Sequence, residues 1–66
     1  MANPSPYRTL PAATRVELVT YAAKSSREMR ELYVQRLVAR GGGFRAVALR
    51  AWPVDRLARE VVRTNA

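Results

Sequence analysis

The sequence contains no cysteine and no histidine. Without thiols no disulfide can form. Without thiolate or imidazole, the usual zinc, copper and iron sites have no ligands. General acid–base catalysis lacks its commonest residue, and a nucleophilic serine lacks its usual base. Acids are scarce as well, being limited to Glu17, Glu28, Glu31, Asp55 and Glu60. Glu28 and Glu31 stand among Arg27 and Arg30, a spacing that predicts local ion pairs on a helix rather than a catalytic dyad. No catalytic residue, cofactor, metal or small-molecule substrate is therefore expected, and the chain reads as a non-enzymatic binding module. No apolar run approaches the roughly 18 residues of a membrane span, and no secretory core is present. The expectation is a cytoplasmic protein without a membrane span. Arg8 and Arg15 sit in an acid-free beginning like that of an organelle presequence, but Pro4, Pro6 and Pro11 break the helix such a signal needs.

What the chain has is positive charge. Twelve basic residues oppose five acidic ones, a net charge of +7, and eleven of the twelve are arginine. Arginine presents a planar fork of donors that matches phosphate at two points, which lysine cannot do. High-GC codon usage would account for the Arg/Lys ratio but not for the excess over acids. So large a net charge on so small a chain costs self-repulsion unless a polyanion relieves it. Nucleic acid, an anionic membrane surface or an acidic protein would each serve.

Sixty-six residues make at most one domain. A chain of this length buries only about 60% of its unfolded surface. Val16, Val19, Met29, Tyr33 and Leu37 offer more apolar surface than the short second half is expected to cover. A homodimer or a host complex is the expected remedy.

Along the chain, residues 1–11 read as an extended tail, because its prolines block helix and sheet alike. Residues 12–66 read as one helical domain. Val16, Val19, Ala23, Ser26, Met29, Tyr33 and Leu37 step by three or four, the helical period. Thr14 with Glu17, and Ser25 with Glu28, have capping-box spacing. The second box predicts a break near Lys24–Ser26, and a single helix over 12–40 is the competing reading. Gly41, Gly42 and Gly43 end that region, with glycine after Arg40 suited to a left-handed C′ position and Arg36 and Arg40 complementing the helix end. No Gly-Lys-Ser/Thr follows, so this is no P-loop. Phe44, Val47, Ala48 and Ala51 form an apolar stripe over a third helical stretch, 44–52. Pro53 stops it, and Asp55 can cap a last helix from Arg56 to about Thr64, with Leu57, Ala58 and Val61 inward. No period-two segment is long enough for a strand. The fold class is all-α, a small bundle of three to five helices.

Residues 36–63 hold seven arginines against Asp55 and Glu60, a balance of +5, while residues 1–35 balance to +2. From Leu37 to Arg63 the order is helix, glycine turn, short helix, tight turn, short helix, the layout of a helix-turn-helix. Val47 and Ala48 supply its apolar pair, with Ala48 the small residue at the helix crossing. The stretch Phe44-Arg-Ala-Val-Ala-Leu-Arg-Ala-Trp52 resembles the helix-turn-helix segment of phage small terminase subunits and transposase-type DNA-binding domains, over about twenty residues. It departs from them at Trp52, where that turn carries glycine, and Pro53 follows. The resemblance implies that Arg56 and Arg59 face the major groove and that Arg45, Arg50 and Arg63 touch phosphate. The function expected on this reading is duplex-DNA binding of a regulatory (transcriptional) or packaging kind, as a dimer. The alternative is a small basic accessory subunit of a larger protein, ribonucleoprotein or membrane assembly. An arginine stripe opposite an apolar stripe is also what any solvated surface helix shows. Trp52 is expected in the core or an interface, and Tyr7, Tyr21 and Tyr33 are too scattered for a base-stacking array.

Overall fold

The computed structural model describes residues 9–66, so the expected tail falls outside the described residues except for its last three. Four helices follow one another over residues 12–64: α1 Ala12–Ser25, α2 Arg27–Ala39, α3 Ala46–Arg50 and α4 Val54–Thr64. No strand occurs among the described residues, so the molecule is an all-α bundle.

Local chemistry sets most boundaries. Ser26 adopts an extended conformation (φ −145°, ψ 122°), and its Oγ accepts the backbone N–H of Met29 at 3.2 Å. The break in the 12–40 stretch is therefore real, and its cap sits one residue later than the Ser25/Glu28 box suggested. Thr14 caps nothing, because α1 already begins at Ala12, directly after Pro11. Asp55 likewise lies inside the first turn of α4, which starts directly after Pro53. There its carboxylate complements the positive helix end instead of capping it. Both prolines have ψ near 150° and accept the first helical bond, from Arg15 N at 3.1 Å and Leu57 N at 3.0 Å. Gly41 ends α2 with φ +76° and donates to Val38 O at 3.1 Å, the left-handed C′ position foreseen for it. Asn65 does the same for α4 at φ 55°, with Ala66 N reaching Val61 O at 3.0 Å in a Schellman closure.

The core joins distant parts of the chain. α1 gives Val19 and Ala23, α2 gives Tyr33, Val34 and Leu37, α3 gives Leu49, and α4 gives Leu57, Ala58, Val61 and Val62. α4 packs most extensively on α1 and also on α2, and α3 rests on α2. Four inward residues in eleven make α4 the central wedge, covering Val19, Tyr33 and Leu37 and partly covering Val16 and Met29. The apolar surface that motivated self-association is thus mostly satisfied within the chain. Leu18, Tyr21, Leu32 and Val47 are the large apolar side chains left exposed among the described residues.

The third helix differs from its expected form. Of the stripe Phe44, Val47, Ala48 and Ala51, Phe44 packs against the core, but the other three do not face it, since Val47 is 73% exposed and Ala48 and Ala51 lie at the surface. Leu49 is buried instead, with no exposed surface. The helix is only five residues long, and Arg45 before it is extended (φ −104°, ψ 136°), so Phe44 does not share its period. With one inward position to fill, the largest apolar side chain of α3 removes the most apolar area from water. Helix, turn and helix are present over Ala46–Thr64, but the inward pivot is Leu49 and not the small Ala48.

Candidate nucleic-acid interface

The core placement of Leu57, Ala58, Val61 and Val62 turns Arg56, Arg59 and Arg63 outward, as their spacing foresaw. Each already has a partner. The Arg56 guanidinium lies 3.9 Å from the Trp52 ring centre, a cation–π stack. Trp52 is half-buried, and its other contact is edge-on to Phe44 at 5.7 Å between ring centres. Arg59 approaches Asp55 at 3.5 Å, with both side chains about two-thirds exposed. Arg63 grips Glu60 with its Nε at 3.1 Å and with a second, closer Nη2 contact. Exposed pairs of this kind contribute roughly 0–1 kcal/mol, so they do not prevent a phosphate from engaging the arginines. They do offset charge: Asp55 and Glu60 leave this face of three arginines at a balance of +1.

Arg50 is more firmly committed. Its Nη2 and Nε donate to the two carboxylate oxygens of Glu31 on α2, at 2.5 and 3.1 Å. The pairing of Glu31 with its helical neighbours Arg27 or Arg30 does not form. Arg30 instead donates from Nη2 to Arg50 O at 2.9 Å and Trp52 O at 3.1 Å, closing the C-terminal end of α3. The Arg50 fork, helped by Gln35, holds the Glu31 carboxyl down from its ordinary 4.5 to about 2, and Glu31 in turn raises Arg50. Because the folded value is the lower one, this contribution to stability is complete above pH 4.5 and is lost as pH falls toward 2. The melting-temperature gap between the wild type and Glu31→Gln is expected to be constant above about pH 5 and to close across that acid window. A gap independent of pH would show that the pair contributes nothing.

Arg45 stands apart. It is exposed at the start of α3, and its side chain has no partner among the described residues. Two arginines outside the expected site keep it company. Arg36 and Arg40 are exposed on the last turns of α2, one helical turn apart, with Arg36 near the Tyr33 ring at 5.8 Å. Gly41, Gly42 and Gly43 between Arg40 and Arg45 are exposed, with Gly41 and Gly43 at φ +76° and +80°. No acid occurs from Leu32 to Val54, and the nearest, Glu31, is taken up by Arg50. The glycine corner therefore carries +3 without internal neutralisation. The negative end of α2 offsets only about half a charge. Two like charges four apart on a helix also cost roughly 0.2–0.5 kcal/mol, which nothing in the chain recovers. The signal was available in the sequence as the 23-residue acid-free interval, which a summed balance over 36–63 conceals.

Among the described residues, no helix is long and apolar enough to cross a membrane, and no cluster of acids could hold a metal ion. No family model, curated protein or solved structure matches this chain.

Proposed function

We propose that this chain is a non-enzymatic duplex-DNA-binding module that grips the phosphate backbone with Arg36, Arg40 and Arg45 at the glycine corner. The arginine stripe of α4, Arg56, Arg59 and Arg63, would serve as a secondary contact. The observation that carries this reading is the uncompensated +3 of the corner, on exposed arginines around a loop without side-chain bulk. Bidentate guanidinium–phosphate contacts need that exposure and that freedom from internal acids. A duplex suits the surface better than a single strand. Single-strand grooves stack bases on exposed aromatics, yet Tyr33 is buried and Phe44 and Trp52 are occupied with each other, leaving Tyr21 as the exposed aromatic among the described residues. Binding of this kind positions the chain on DNA of any sequence, which fits packaging or architectural work more closely than operator reading.

The direct test is fluorescence anisotropy of a labelled 20-base-pair duplex titrated at several salt concentrations. Binding at micromolar or tighter Kd, with log affinity falling linearly against log salt, is the expected result. A salt-independent response, or none, would sink the proposal. An accessory subunit that docks on an acidic protein would then be the better account, using the exposed Leu18, Tyr21 and Leu32 as an apolar centre.

A further inference from the structure

A second basic feature lies away from the glycine corner. Arg27, Arg30 and Arg50 line an open cleft of about 270 Å³ between α2 and the end of α3, with Glu31 as its fourth member. We propose that this cleft binds a phosphomonoester dianion, a phosphate group carrying one organic substituent. The site rests on its own residues and does not depend on the DNA reading.

Charge is the first ground. Three guanidiniums and one carboxylate leave +2, which matches a monoester at pH 7 and exceeds the single charge of a backbone diester. Glu31 does not block the site. Its Oε1 accepts Gln35 at 3.0 Å and Arg50 at 2.5 Å, and its Oε2 accepts Arg50 at 3.1 Å. The carboxylate thus serves to hold Arg50 in place.

Preorganisation is the second ground. Arg30 is tied through Nη2 to two backbone carbonyls, and Arg50 is tied through Nε and Nη2 to Glu31. Ordering a long side chain costs about 0.5–1.5 kcal/mol on binding, and here two of the three are ordered beforehand. Each guanidinium has five N–H donors, so Arg30 and Arg50 retain unspent ones. Arg27 is exposed, has no partner among the described residues, and would be the closing arm. The cleft is also smaller than the roughly 300–1,000 Å³ of sites for drug-sized ligands, which suits a head group with its substituent left in solvent.

The probes are phenyl phosphate, a monoester, and dimethyl phosphate, a diester, followed through the arginine Nε–Hε signals of the ¹⁵N-labelled full chain. Phenyl phosphate is expected to shift Arg27, Arg30 and Arg50 saturably, with dimethyl phosphate at least tenfold weaker. Arg27→Ala is expected to weaken phenyl phosphate at least tenfold with the helical circular dichroism unchanged. Arg27→Lys, which keeps the charge and loses the fork, should lie between, and Arg40→Ala should bind as the wild type does. A 5′-phosphorylated dinucleotide binding tighter than phenyl phosphate would identify a nucleic-acid end as the source, and equal binding a small free phosphomonoester. Both outcomes support the shared chemistry. No saturable shift, equal affinity for the two probes, or an unaffected Arg27→Ala would overturn it. Loss of phosphomonoester binding with duplex binding intact would separate this failure from that of the DNA proposal.

Discussion

Leu49→Ala is expected to unfold most of the molecule at 25 °C. Leu49 is fully buried and is the single core residue of α3, a helix only five residues long. Truncating a buried leucine costs about 2–5 kcal/mol, through lost transfer energy and the cavity left behind. A domain of this size rarely holds more than about 3–5 kcal/mol in all. The loss should also propagate. Without Leu49 the carbonyls of Arg50 and Trp52 leave Arg30, and the Arg50 fork leaves Glu31. The informative companion is Ala48→Gln. Ala48 is exposed, so its stability should stay within about 0.5 kcal/mol of the wild type. Urea denaturation followed by circular dichroism reads both. If Ala48→Gln were the damaging change and Leu49→Ala the mild one, α3 would present the face expected from its helix-turn-helix pattern, and the placement of Leu49 would be wrong.

Replacing Arg36, Arg40 and Arg45 together with glutamine is expected to remove most duplex affinity. Each phosphate contact contributes about 0.9 to the log–log salt slope, so three contribute about 2.7. At 0.1 M salt that corresponds to an affinity loss on the order of 500-fold. The fold should be retained, because all three side chains are exposed, and glutamine at 36 and 40 removes a like-charge pair without lowering helix propensity. The matching triple Arg56, Arg59 and Arg63→Gln should cost much less, since Asp55 and Glu60 already oppose two of those arginines. Anisotropy titrations across salt concentration separate the two faces. A larger loss from the α4 triple would favour the recognition-helix roles that the helix-turn-helix resemblance implied, and would remove the glycine corner from the binding surface.

The five arginines named from sequence, Arg45, Arg50, Arg56, Arg59 and Arg63, are all exposed, as charged residues opposite an apolar stripe should be. Their partners were only partly legible. Arg59–Asp55 and Arg63–Glu60 are spaced by four and three, and helical neighbours of opposite charge can be read directly from such spacing. Arg50–Glu31 spans 19 residues, so nothing short of the packing of α3 on α2 reveals that Arg50 is occupied. The stack of Arg56 on Trp52 is also local in sequence, but it needs the Pro53 turn to bring the guanidinium over the ring.

What the sequence by itself determined is where the chain bends. The break near Lys24–Ser26, the left-handed Gly41 and the stop at Pro53 each arise from one or two residues with strong local preferences, although the cap fell on Ser26 and not on Ser25, and α4 begins at Val54 and not at Arg56. The helical period over 12–40 and 57–62 determined, in the same local way, that the elements between those points are helices with one apolar face. Tertiary structure alone decided which face α3 buries. A five-residue helix has barely more than one turn, so its pattern is compatible with Val47 and Ala48 inward or with Leu49 inward. The choice fell to the space beside α2, which a leucine fills and an alanine leaves empty. Tertiary structure also decided that α4 closes on α1 across some forty residues of chain, because burying Val19 and Ala23 against Leu57, Ala58, Val61 and Val62 is a gain that no window of neighbouring residues contains.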